Sequence, residues 1–201
     1  MISEKKIIKF EKKIGFIFKN KNNLINSLIH PSFVFENKVK KKFSINKFER
    51  LEFLGDRVLG LVVSSLIFNK FYHLNEGDLT KKLAYLVQKK FLYKIAIEIE
   101  LNNYLMFSAK KENIRMNEAI LSDAVESLIG SIYIDSGFIG SYKFIENIWS
   151  PYLDLKESNQ QDPKTHLQEI SQQKFKTLPI YKLLTKEGFS HSPTFTISLK
   201  V

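Results

Sequence analysis

The chain has 201 residues, 44% of them hydrophobic and 13% aromatic, which is enough apolar material for one full domain with room for a small appendage. It contains no cysteine, which excludes disulfides and thiolate metal sites and fits a reducing compartment. A formal net charge of +10 suits a polyanionic partner, nucleic acid or an acidic membrane, although arginine stands only at 50, 57 and 115 and a lysine-rich composition bias would give the same balance.

The opening stretch "MISEKKIIKFEKKIG" lacks the uninterrupted apolar run of a signal peptide, and its acids and missing arginine argue against a mitochondrial presequence. A soluble, cytoplasmic protein is therefore expected. Within residues 3–14 the apolar positions Ile7, Ile8, Phe10 and Ile14 form an amphipathic helical pattern, broken at Gly15. A short helix is expected from Asn20 to Leu28, ended by His30-Pro31, because the residue before proline avoids helical geometry. The basic stretch "ENKVKKKFSINK" (36–47) follows as an exposed loop, either a solvated linker or an RNA contact.

One long helix is expected from Phe48 to about Phe71, nearly apolar all round after Asp56, which places it in a bundle centre or a subunit interface. Its longest apolar run, "VLGLVVSSLIF" (58–68), is too short to span a bilayer. "HLNEGDLT" (73–80) supplies a turn, with Asp78 or Thr80 as N-cap of a helix running to about Phe91, continuous with or broken before Tyr93–Ile99. Residues 101–117 read as an irregular connection. "NEAILSDAVESLIGSIYIDSGF" (117–138) is again strongly helical and ends at Ser136-Gly137, and a last helix of this part covers about 139–154.

The register changes at the polar, proline-containing "ESNQQDPK" (157–164), a linker placed at residues 156–162. A short helix, Thr165–Lys174, precedes two strand-like runs, "PIYKLLTKEG" and "SPTFTISLKV", joined by a short "FSH" turn. Thr194 to Val201 carries the one clear period-2 alternation in the chain.

Two acidic stripes interrupt this apolar background. In "ERLEFLGDRVLG" (49–60), Glu49, Glu52 and Asp56 stand three and four residues apart, so their carboxylates share one helical face. Two like charges about 4 Å apart repel by roughly 4 kcal/mol at an effective dielectric near 20. Asp123 and Glu126 repeat the anomaly, on a face shared with the small residues Ala119 and Gly130 that leaves room for something to approach. Two such helices packed face to face would bring four of these carboxylates together, which is untenable without protonation, cationic partners or metal. Oxygen-only donors would favour Mg²⁺ or Mn²⁺ over zinc. The alternative is that each acid sits on a helix surface paired with lysine or arginine.

"FERLEFLGD" (48–56) closely resembles the signature nonapeptide of the ribonuclease III family, the double-stranded-RNA endonucleases. "FEKKIGFIFKNKNNLINSLIHPSF" (10–33) resembles the family's opening helices, with His30 and Ser32 in a His-x-Ser pattern. "NEGDLT" (75–80) resembles its Glu-Gly-Asp segment, and "LSDAVESLIGSIYIDSGF" (121–138) its second acidic motif. "DPKTHLQE" (162–169) and "GFSHSPTFTISLKV" (188–201) resemble the first half of a double-stranded-RNA-binding domain.

The resemblance implies a mainly α fold: an all-helical ribonuclease III endonuclease domain over 1–155, then a partial α+β double-stranded-RNA-binding domain over 163–201 that lacks the third strand and last helix. It implies Glu52, Asp56, Asp123 and Glu126 as metal ligands for Mg²⁺, with Mn²⁺ a plausible substitute, and Asp56 and Glu126 as catalytic acids. Glu49 and Glu76 become supporting acids, Gln168, Glu169 and His191 RNA-binding residues, and Phe53 a contact to the partner in a homodimer. Simple core packing would equally explain Phe53. The implied reaction is hydrolysis of duplex RNA to 5′-phosphate and 3′-hydroxyl ends with short 3′ overhangs, in processing of ribosomal RNA precursors and other structured RNAs, with no membrane and no small-molecule cofactor. Arg57 departs from the family's usual Ser or Ala; it would pair with a neighbouring carboxylate or face solvent. Two rivals are a non-catalytic RNA-binding relative, which the complete acidic quartet opposes, and a hydrolase of small phosphates, which "DPKTHLQE" and the missing Gly-rich loop oppose.

Overall fold

The structure, a computed structural model, describes residues 3–36, 46–107, 114–155, 163–187 and 194–200. Most of the basic 36–47 stretch, the linker at 156–162 and the "FSH" turn lie outside the described residues. The chain divides into two compact units, Met1–Leu155 and Lys156–Val201.

In the first unit the described elements are α1 (Glu4–Ile14), α2 (Lys21–Ser27), α3 (Pro31–Glu36), α4 (Asn46–Lys70), α5 (Glu76–Val87), α6 (Lys89–Glu98) and α7 (Ile114–Trp149), with 3₁₀ turns at Leu101–Asn103 and Ser150–Tyr152. Helix α3 is absent from the sequence-based expectation. Pro31, expected only to end α2, opens α3 instead, a position where its fixed φ suits a helix and its missing N–H is no loss. Helix α5 starts earlier than expected. Its cap is Asn75, whose side chain accepts from the Asp78 N–H, rather than Asp78 or Thr80 themselves. The break between α5 and α6 falls at Gln88, whose extended backbone (φ −67°, ψ 151°) separates the two helices while its carbonyl accepts from Phe91 and Leu92 N–H. That bend lets Leu86 of one helix and Phe91 and Leu92 of the other all reach the core.

The helices α4 and α7 form the central pair. Their apolar positions, Val58, Leu59, Val62 and Val63 on one side and Ala124, Val125, Leu128 and Ile129 on the other, are buried. Gly137 interrupts α7 with φ 69° and ψ −166°, at the break expected from Ser136-Gly137. Beyond it Trp149 is fully buried, its Nε1 donating to the Leu86 carbonyl at 3.1 Å, which anchors the end of α7 against α5. Between α1 and α2, buried Glu11 accepts from the Phe18 N–H at 2.8 Å and from Lys21 Nζ at 2.5 Å. Asp135 of α7 accepts from the N–H groups of Lys19 and Asn20, tying the same turn to the central pair. The segment expected to be irregular is pinned at Met106, whose N–H donates to the Leu28 carbonyl and whose carbonyl accepts from the His30 N–H. No helix among the described residues is long and apolar enough to cross a membrane.

The second unit carries α8 (Pro163–Phe175) and an antiparallel pair, β1 (Ile180–Glu187) and β2 (Thr194–Lys200). Leu183 faces Ile197 and Thr185 faces Thr196, so the register shifts by one residue at Leu184. The period-2 pattern of β2 is realised as a strand. Its apolar members Phe195, Ile197 and Leu199 remain exposed. Ser171 is buried on α8 and donates from Oγ to the Thr177 carbonyl at 2.7 Å.

Candidate active site

Helix periodicity places Glu49, Glu52, Phe53 and Asp56 on successive turns of α4, and Asp123 and Glu126 one turn apart on α7. What brings the two stripes together is a close crossing of backbones. A Cβ added at Gly55 would overlap the Glu126 carbonyl, and one added at Gly130 would overlap the Leu51 carbonyl. The small-residue face of α7 is therefore filled by α4 itself, so the object that approaches beside Asp123 and Glu126 is the other acidic helix.

At this crossing a cavity of about 510 Å³ is lined by His30, Pro31, Phe48, Glu49, Glu52, Phe53, Asp56, Asp123 and Glu126. Carboxylate oxygens of Glu52, Asp123 and Glu126 all lie within 4.8 Å of one another, and the three side chains are half-buried. Asp56 lines the same cavity but stands outside this trio, its Oδ2 3.4 Å from the Arg57 guanidinium. Burial pushes the Glu126 carboxyl up to about 8, with the charges of Asp56, Asp123 and Glu52 adding to it. Glu52 is pushed up to about 7 by burial and then by Asp123. Both shifts have the same causes in the same order: burial first, then neighbouring carboxylates with little positive charge beside them. Three oxygen donors converging within reach of a single ion, with a fourth beside them, fit a hard divalent cation.

Lys89, the first residue of α6, places its Nζ 3.1 Å from Asp123 Oδ1. That hydrogen bond raises the lysine's own pKa and gives the cluster part of the charge it lacks. His30 enters the cavity from the turn before α3. Its Nδ1 lies 2.8 Å from Ser32 Oγ and accepts from the Ser32 N–H at 3.2 Å, so the neutral ring carries its proton on Nε2. Burial lowers the His30 pKa despite the nearby Asp123 and Glu49, and the ring packs edge-on against Phe48 with centroids 5.2 Å apart. The His-x-Ser pattern marked this residue, but nothing in the local sequence "VQKKF" marks Lys89.

The remaining candidates are dispersed. Glu49 lines the cavity from an exposed position. Glu76 opens α5, exposed and outside the cavity lining. Phe53 is 68% exposed, so core packing within the protomer does not account for it. Arg57 takes both of its expected alternatives at once: it pairs with Asp56 while remaining exposed, and it lies 5.9 Å from the Phe53 ring centroid. Gln168 is half-buried on α8 of the second unit, whereas the Glu169 side chain and His191 lie outside the described residues.

Comparison with known proteins agrees with this architecture. A family model described as ribonuclease-III-like matches residues 20–152. Ribonuclease 3 of Pelagibacter ubique is 42% identical over 195 residues, covering 96% of this chain and 84% of the relative. Ribonuclease 3 of Rickettsia conorii is 40% identical, with 96% and 85% covered. A structure of the nuclease domain of ribonuclease III from Campylobacter jejuni, described for structural flexibility in a region involved in dimer formation, superposes with a TM-score of 0.62 at 40% identity, over 72% of this chain and 96% of that one.

Proposed function

Since the chain belongs to the ribonuclease III family and is a ribonuclease III endonuclease, we propose that it hydrolyses duplex RNA at a divalent-metal site held by Glu52, Asp56, Asp123 and Glu126. The observation that carries this reading is the convergence of Glu52, Asp123 and Glu126 within 4.8 Å from two different helices. Mg²⁺ is the proposed ion, with Mn²⁺ able to replace it. When bound, such an ion activates water and neutralises charge developing on a phosphodiester.

The residues of the chain account for the rest. Glu126 and Glu52, whose carboxyls are pushed up to about 8 and about 7, would hold the ion as carboxylates, so its binding there would be linked to proton release. Asp56, beside the trio, is the fourth donor, and with Glu126 it is the pair proposed as catalytic. Glu49 at the cavity edge and Glu76 are proposed as supporting acids. The products are proposed to be 5′-phosphate and 3′-hydroxyl ends with short 3′ overhangs.

Each chain is proposed to work as half of a homodimer, with Phe53 docking into the partner. Its 68% exposure supports that role. Duplex RNA presents phosphates and 2′-hydroxyls across a shallow minor groove and hides its bases, so a lysine-rich surface with net charge +10 suits it. The second unit is proposed as the duplex-binding part, with Gln168, Glu169 and His191 as contacts. Ribosomal RNA precursors and other structured RNAs, in the cytoplasm, are the proposed substrates.

The test is a cleavage assay on duplex and single-stranded RNA with Mg²⁺ or EDTA. Cleavage of the duplex alone, lost with EDTA and in Glu126→Gln while binding persists, is the expected result. Full activity in that variant would overturn the site.

A further inference from the structure

Lys89 stands at the first position of α6, just after the extended Gln88, where unpaired helix N–H groups disfavour a cation. Its side chain is 67% exposed, yet its ammonium lies 3.1 Å from Asp123 Oδ1. Asp123 is 34 residues away on α7 and lines the cavity, its own side chain 21% exposed, so the contact joins an exposed lysine to one carboxylate of the cavity wall.

We propose that Lys89 is a counter-cation built into the carboxylate cluster, holding the Asp123 side chain in the metal-free protein and exchanging off it when a divalent cation binds. The proposal rests on the metal-site reading above. An ammonium on Oδ1 uses one of the directions in which that oxygen could donate to an ion. It also sets a positive charge beside any cation held by the same carboxylate, and the two repel. Release is easy, because the ammonium ends a flexible four-carbon stem that is already largely in water. Lys89 is thus a positioning residue: it acts on the site through Asp123.

The experiment is Mn²⁺ binding to the full chain without RNA, followed by calorimetry or electron paramagnetic resonance, in wild type, Lys89→Met and Lys89→Arg. Lys89→Met is expected to bind Mn²⁺ roughly 3- to 10-fold more tightly, the size of a screened repulsion over several ångströms. It is also expected to melt lower than wild type without metal and to recover in saturating Mn²⁺. Lys89→Arg keeps the charge and is expected to match wild-type affinity. A purely structural lysine would leave Mn²⁺ affinity unchanged or weaken it on removal, and either result overturns the proposal. So does equal tightening in Lys89→Arg. If wild type itself binds no Mn²⁺, the metal-site reading falls and takes the proposal with it; wild-type binding without tightening in Lys89→Met overturns the proposal alone.

Discussion

Gly55 lies directly against the backbone of Glu126, close enough that a Cβ would overlap the Glu126 carbonyl. The residue immediately before Asp56 on α4 therefore sets how near the two acidic stripes come, and Gly130 makes the reciprocal contact at Leu51. Each glycine sacrifices some helix propensity, and the gain is a carboxylate cluster drawn from two helices.

Gly55→Ala should accordingly do more than a surface substitution. The overlap is with backbone, which cannot rotate away, so the cost should reach or exceed the roughly 3 kcal/mol upper end of ordinary overpacking. Urea unfolding should show it, and Mn²⁺ affinity should fall with it as α4 and α7 separate. A variant of wild-type stability would mean that the helices shift without loss.

Stability of the metal-free protein should fall as pH rises. The Glu126 carboxyl titrates near 8 in the folded chain against 4.5 for an ordinary glutamate, and Glu52 near 7. Between those values the folded state binds more protons than the unfolded one, so the slope of unfolding free energy with pH is negative. The stabilisation is complete below the ordinary carboxylate range, declines from about pH 4.5 and is lost above about pH 8. Melting curves from pH 5 to 9 should show this loss, Glu126→Gln should flatten it, and added Mg²⁺ should stabilise most at the alkaline end.

Phe53→Ala should separate assembly from folding. The ring is 68% exposed, so thermal stability at low concentration should barely change. If it anchors a dimer, truncation should cost about 2 kcal/mol or more, a weakening of roughly 30-fold in dimer dissociation measured by sedimentation. Unchanged dimerisation would remove Phe53 from the interface.

Arg57→Ala should be nearly silent in stability. Its side chain is 73% exposed and that of its partner Asp56 42% exposed, so their ion pair should contribute within about 0.5 kcal/mol. Chemical denaturation of the variant tests this, and a larger loss would show that the Asp56 and Phe53 contacts matter jointly.

The helices were legible where a local period carried them. The apolar spacing of α1, the acids at intervals of three and four on α4 and α7, the Gly137 break and the alternation of β2 all reappear in the structure. Shorter-range cues misled at Pro31 and Asn75. A proline can close one helix or open the next, and either Asn75 or Asp78 can cap; the difference lies in which N–H the folded chain leaves unpaired.

By itself the sequence determined which residues share a helix face, because 3.6 residues per turn make Glu49, Glu52 and Asp56 neighbours whatever surrounds them. Only the tertiary structure decided that Glu52 joins Asp123 and Glu126 while Asp56 stands beside them with Arg57, and that Lys89 reaches Asp123 from another helix. Those pairings depend on the rotation and separation of α4, α6 and α7. These are set by the Gly55–Gly130 crossing and the bend at Gln88, contacts between residues far apart in the chain that no local period encodes.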